Sequence, residues 1–123
     1  MPDLATHRQK VQHNQQVIAH LQTAGDIYLD WVVTAMFYMA LHLVDQVLYH
    51  NACLNPRNHR ERHAAIGRQP ALAPVYRDYR ELERQSRRSR YDCANFTLQE
   101  VQWLAKRLAR IEQLVESLVP QGR

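Results

Sequence analysis

Apolar residues recur along this chain at helical rather than alternating spacing, which predicts helices and no sheet. The last helix is the plainest. Val101, Leu104, Leu108, Ile111, Val115 and Leu118 repeat at alternating intervals of three and four, an a/d seam for packing on another helix in this chain or in a second copy. Thr97-Leu98-Gln99-Glu100 ahead of it matches a capping box. A first helix is predicted over about Leu4 to Ala24, closed by Gly25, with Asp26 capping the next. That second helix, to about Asn51, is the most hydrophobic stretch, apolar nearly all round as the centre of a bundle is. Its one polar stripe is Thr34, Tyr38, His42, Asp45 and Tyr49. Asn55-Pro56 then breaks the chain. Asn58 with Glu61 caps a short third helix ending near Gly67, and a fourth runs from about Pro74 to Arg90 with Val75, Tyr79 and Leu82 inward. The prediction is an all-α, up-down four- to five-helix bundle forming a single domain over residues 1–123.

Composition agrees. Three glycines and five prolines are too few for the turns of a sandwich or barrel, and the glycines are too scattered for a phosphate-binding loop. The 46% hydrophobic and 23% charged content is that of a folded domain. Two cysteines make neither a disulfide framework nor a zinc site and are expected as reduced thiols in a cytoplasmic protein. Met1 to Lys10 lacks the apolar core of a signal peptide, and the apolar run Trp31–Leu41 is too short to span a bilayer, so no membrane association is expected.

Charge changes the picture more. Residues 54–90 carry ten arginines against Glu61, Asp78, Glu81 and Glu83, so the middle of the chain holds +6 of a total net charge of +4. Arg77, Arg80, Arg84 and Arg87 share one face of the fourth helix, and Arg88 and Arg90 extend the charge beyond it. Aligned guanidinium groups make a track for phosphates. The competing reading is a solvated face laced with ion pairs to Asp78, Glu81 and Glu83. In Arg57-Asn58-His59-Arg60-Glu61-Arg62-His63, two imidazoles stand four apart. No neighbouring carboxylate or cysteine completes a ligand set, so no metal is expected there and His59 reads as a helix-entry residue bonding backbone. His42 and Asp45 fit either an oriented imidazole or a satisfied polar seam. Ser86, Ser89 and Cys93 lack a base, since no histidine follows His63.

Three segments together resemble the HEPN-domain family across about residues 8–118. They are Trp31 to Asp45 with Phe37, Tyr38, Ala40 and His42; Asn58 to Arg62; and Arg84 to Asp92. The resemblance implies a small helical bundle, a homodimer, and an RNA- or nucleotide-associated role of toxin–antitoxin or defence type. A nucleotidyltransferase or other protein is a possible partner, and no cofactor is implied. Catalytic members place an arginine four to six residues before a histidine late in the bundle and cleave RNA without metal. This chain has no histidine after His63, and matches that spacing only at Arg8 to His13 and at Arg57-Asn58 to His63. The expected phosphate-binding residues are therefore Arg84, Arg87, Arg88, Arg90 and Tyr91. The alternative of a metal-independent ribonuclease uses a displaced set, Arg57, Asn58, His59 and His63. A third alternative is a non-catalytic scaffold or antitoxin-like bundle whose fifth-helix seam meets a partner.

Overall fold

The computed structural model describes residues 2–120, which contain helices and no strand. Five α-helices follow one another: α1 (Leu4–Gln22), α2 (Leu29–Ala52), α3 (His59–Gly67), α4 (Tyr76–Tyr91) and α5 (Leu98–Leu118), with a 3₁₀ helix over Pro70–Val75 leading into α4. The chain is an all-α bundle in which α2 packs on α1, α4 and α5 at once. This explains its composition. Val32, Val33, Phe37, Val44, Val47 and Leu48 are all sealed from solvent on different sides of one helix. The most apolar 18-residue window of α2 has a mean hydropathy of 1.4 and is long enough to cross a membrane by length and composition, beyond the shorter run read from sequence. In this fold 83% of that window is buried inside the bundle.

The seam of α5 is consumed inside the chain. Val101, Leu104, Leu108, Ile111 and Val115 are buried in the same core as α2 and α4, so this face is not on offer to a second copy or a partner. Two helix starts are capped as the sequence predicts: Asn58 accepts from the Glu61 N–H, and Thr97 and Glu100 form the reciprocal box; α1 is capped as well, by Asp3, which accepts from the Thr6 N–H. Two boundaries differ. The N–H groups of Thr23, Ala24 and Gly25 bond back three residues, tightening the end of α1 into a turn through Tyr28. Gly25 takes φ 73 inside that turn, and α2 begins only at Leu29 without a side-chain cap, so Asp26 caps nothing. Pro74 falls inside the 3₁₀ segment instead of opening α4, because two prolines so close suit a short, tight helix.

The polar stripe of α2 is satisfied seam rather than open site for most of its length. The Thr34 hydroxyl donates to the Asp30 carbonyl and meets Ser89 of α4, Tyr38 meets Arg90, and Asp45 takes Arg62 of α3 in a two-pronged ion pair at 2.8 and 3.1 Å. Both side chains of that pair are nearly sealed, at 4% and 8% exposure. Arg62 also donates to the Pro56 carbonyl, fastening the loop that enters α3. Removing one partner leaves the other charge buried and alone, which costs about 3–5 kcal/mol. Arg62→Ala is therefore expected to lower unfolding stability by that order in urea titrations. Arg62→Met combined with Asp45→Leu is expected to recover most of the loss. A stable Arg62→Ala protein would show that the pair does not hold α3.

Candidate functional site

The richest meeting of polar side chains lies where α3 crosses α4. Asn58 caps α3, which puts His59 at its first position and His63 one turn on, so both rings lie on the same side. Glu83 of α4 reaches both. Its carboxylate accepts from His63 Nε2 at 2.8 Å and lies 3.4 Å from His59 Nδ1. The carboxylate missing from the local sequence is thus supplied from twenty residues away. His59 does not bond backbone as its position suggested: its ring lies against Phe37 and faces Glu83.

The two histidines are not equivalent. A carboxylate only accepts, so His63 Nε2 carries a proton, and in the neutral ring Nδ1 accepts from the Tyr76 hydroxyl at 3.1 Å. Both nitrogens of His63 are engaged, and Tyr76 and Tyr79 stand edge-on to its ring. His59 Nδ1 is buried without a hydrogen bond, close to Glu83 but out of line with it. Its Nε2 meets no partner among the described residues. Burial holds the His59 imidazole below its ordinary range; Glu83 opposes this, and the guanidinium groups of Arg62, Arg90 and Arg87 reinforce it. His59 is therefore an uncharged base beside arginines, with a carboxylate at its back. Tyr79, Tyr76 and Glu83 were not legible as site residues, since nothing in their own neighbourhood marks them.

On the outer side of Glu83 lies a groove of about 480 Å³ lined by Arg77, Arg80, Arg84, Arg87, Glu81 and Glu83 of α4 and Arg107 of α5. The ion-pair reading of this face can be followed acid by acid. Asp78 is buried and takes Arg107 and Arg110 of α5. Glu83 is turned to the histidines. Only Glu81 serves the stripe, pairing with Arg84. Arg77 and Arg87 meet no acceptor among the described residues, and Arg80 meets only the Tyr76 ring, 5.7 Å from its centroid. With Arg84 paired to Glu81 and Arg107 to Asp78, three guanidinium groups of the groove are left without a carboxylate partner. Trp103, half-exposed, stacks at 4.1 Å on the Arg107 guanidinium beside it.

The other expected residues lie elsewhere. Arg88 donates to Gln85 at 2.6 Å and covers Phe96, and Arg90 leans on Tyr38 and Tyr91 and donates to the Tyr38 hydroxyl. Neither lines the groove, and Tyr91 stands out in solvent. Arg57 is exposed and paired with Glu61, while the Asn58 side chain is used as a cap. The third helical segment thus contributes no guanidinium to the groove. Arg107 was missed because its helix carries balanced charge in sequence.

Glu83 raises the affinity of His59 for its proton, so its removal should lower the His59 pKa further. In NMR titrations of the ring protons, His59 is expected to titrate below 6.5, the usual value for histidine. It should titrate lower still in Glu83→Gln and higher in Arg87→Gln. A His59 that titrates normally and ignores both changes would show that the ring is not held here. Comparison with protein-family models, with curated proteins and with solved structures finds no match to this chain.

Proposed function

We propose that this chain is a HEPN-like, homodimeric RNA-binding protein of toxin–antitoxin or defence type, and that the α4–α5 groove carries the RNA backbone. The observation that bears most weight is the diversion of Asp78 and Glu83 away from the arginine stripe, which leaves Arg77, Arg80 and Arg87 without carboxylate partners on one groove. Guanidinium groups fork onto phosphate oxygens in pairs, and releasing counterions from the strand drives the association. Trp103 stacks on Arg107 and Tyr76 on Arg80, two arginines of the groove, and such rings are of the kind on which unpaired bases stack. This favours a single strand over a duplex, whose bases are already stacked.

A second reading has one observation of its own. His59 has a free Nε2, a carboxylate behind Nδ1, and Arg87 nearby. An uncharged imidazole can take the proton of a ribose 2′-hydroxyl as it attacks the adjacent phosphate, while a guanidinium steadies the developing charge. In this reading the base is His59, not His63, whose lone pair is occupied by Tyr76.

Changing Arg77, Arg80 and Arg87 together to Gln is expected to weaken binding of single-stranded RNA. The slope of log affinity against log salt should fall by about two, roughly 0.7 for each lost contact. Arg88→Gln should change little. Sedimentation of the same samples is expected to show a pair of chains. Equal affinity and slope in the triple variant would overturn the groove as the binding face. For the second reading, RNA cleavage in EDTA should fall about 10²–10⁴-fold in His59→Ala, the range for a missing general base. Cleavage that survives His59→Ala but not His63→Ala would reject this assignment.

A further inference from the structure

A separate group of polar side chains sits where the first turn of α1 packs on the middle of α2. His7 is buried, and its Nδ1 lies 3.1 Å from Nδ1 of His42. One turn beyond His42, Asp45 brings a carboxylate oxygen within 4.8 Å of both rings. The sequence placed His42 and Asp45 on one stripe, but gave no sign of His7, which arrives from 35 residues away.

The hydrogen bonds around the pair fix which atoms face inward. Asn55 donates through Nδ2 to the Pro2 carbonyl at 2.9 Å, so its Oδ1 accepts from His7 Nε2 at 2.8 Å. With its proton on Nε2, His7 turns a bare Nδ1 lone pair toward His42. Burial holds His42 down to about 4, so its ring is uncharged near neutrality. Two imidazole nitrogens facing each other share one proton or one metal ion. Tetrahedral zinc with nitrogens about 2.0–2.1 Å away spaces them roughly 3.3 Å apart, close to the distance found. Asp45 gives two of its four lone-pair positions to Arg62 and keeps two.

We propose that His7 Nδ1, His42 Nδ1 and Asp45 bind a divalent transition ion of the zinc class, leaving at least one coordination position open. Two imidazoles and a carboxylate suit zinc and its first-row neighbours rather than calcium or magnesium, which prefer oxygen. Three protein donors are the number found where zinc keeps a position for water or substrate. That position opens into a cavity of about 380 Å³ edged by Leu41, Pro56, Arg57 and Arg62, which also gives the ion its way in. Asn55 acts as the outer partner that orients a ligating histidine. On binding, the proton between the rings moves to His42 Nε2, so the charge balance changes only by that of the ion. Arg62 beside Asp45 repels a cation and favours an anionic fourth ligand, so affinity is modest.

The test is titration of metal-stripped protein with Co²⁺, followed by its visible absorption, and with Zn²⁺ by calorimetry. Wild type is expected to take one ion with the intense bands of a low-coordinate nitrogen and oxygen site. His7→Ala should abolish those bands. Asn55→Ala should weaken binding about 10–100-fold, as loss of an outer partner does. His13→Ala and His50→Ala, both at exposed positions, should bind like wild type. His42→Ala tests the second ring; if it fails to fold, His7→Ala, on the outer helix, decides alone. Absence of cobalt bands in wild type, or their persistence in His7→Ala, would overturn the proposal.

Discussion

The buried ion pair between Asp45 and Arg62 holds the rest of the arrangement in place. α3 has nine residues, too few to persist as a helix on its own. It buries little besides Ala65 and Ile66, and its packing on α2 is slight. What fixes its rotation is the fork of Arg62 on Asp45, with the third contact to the Pro56 carbonyl. A guanidinium fork accepts only one geometry, whereas apolar residues of similar volume would let so short a helix turn. Burying the pair costs desolvation. Its return is orientation: with Arg62 pinned inward, His59 and His63 face Glu83.

The second constraint is how α4 spends its acids. Four arginines at intervals of three and four repel one another by tenths of a kcal/mol per neighbour, and the usual remedy is interleaved carboxylates. α4 has those carboxylates at positions 78, 81 and 83, yet two of the three are turned to other elements. Asp78 ties α4 to α5, and Glu83 ties it to α3. The same two bonds that assemble the bundle leave the outer stripe under-neutralised. Local pairing along α4 is thus given up for contacts that join α4 to α3 and α5.

Much of the fold was legible. The helix count, the caps at Asn58 and Thr97 and the inward face of α5 follow from spacing alone, because each depends on residues within a turn of one another. The start of α2 was not, since Asp26 looks like a cap wherever a helix follows, and only the tightened end of α1 decides otherwise. The arginine face was legible for Arg77 through Arg87 by the same periodicity. For Arg88 and Arg90, spacing places each side chain on a face but does not say what waits there. Phe96 of the next loop and Tyr38 of α2 capture those two guanidinium groups. Glu83 with His59 and His63, and His7 with His42, are meetings across long stretches of sequence, and no local pattern encodes them.

Arg62 connects these meetings. Its positive charge is felt by His42 on one side and by His59 on the other, and at both it opposes protonation, adding to the effect of burial. One guanidinium therefore helps keep two separate imidazoles uncharged in a domain with net charge +4. An uncharged imidazole is what both proposed chemistries require: a lone pair for a metal ion at His42, a lone pair for a hydroxyl proton at His59. The carboxylates beside them, Asp45 and Glu83, work in the opposite direction and offset part of that suppression. The balance is set by residues on three helices, so it exists only in the folded chain.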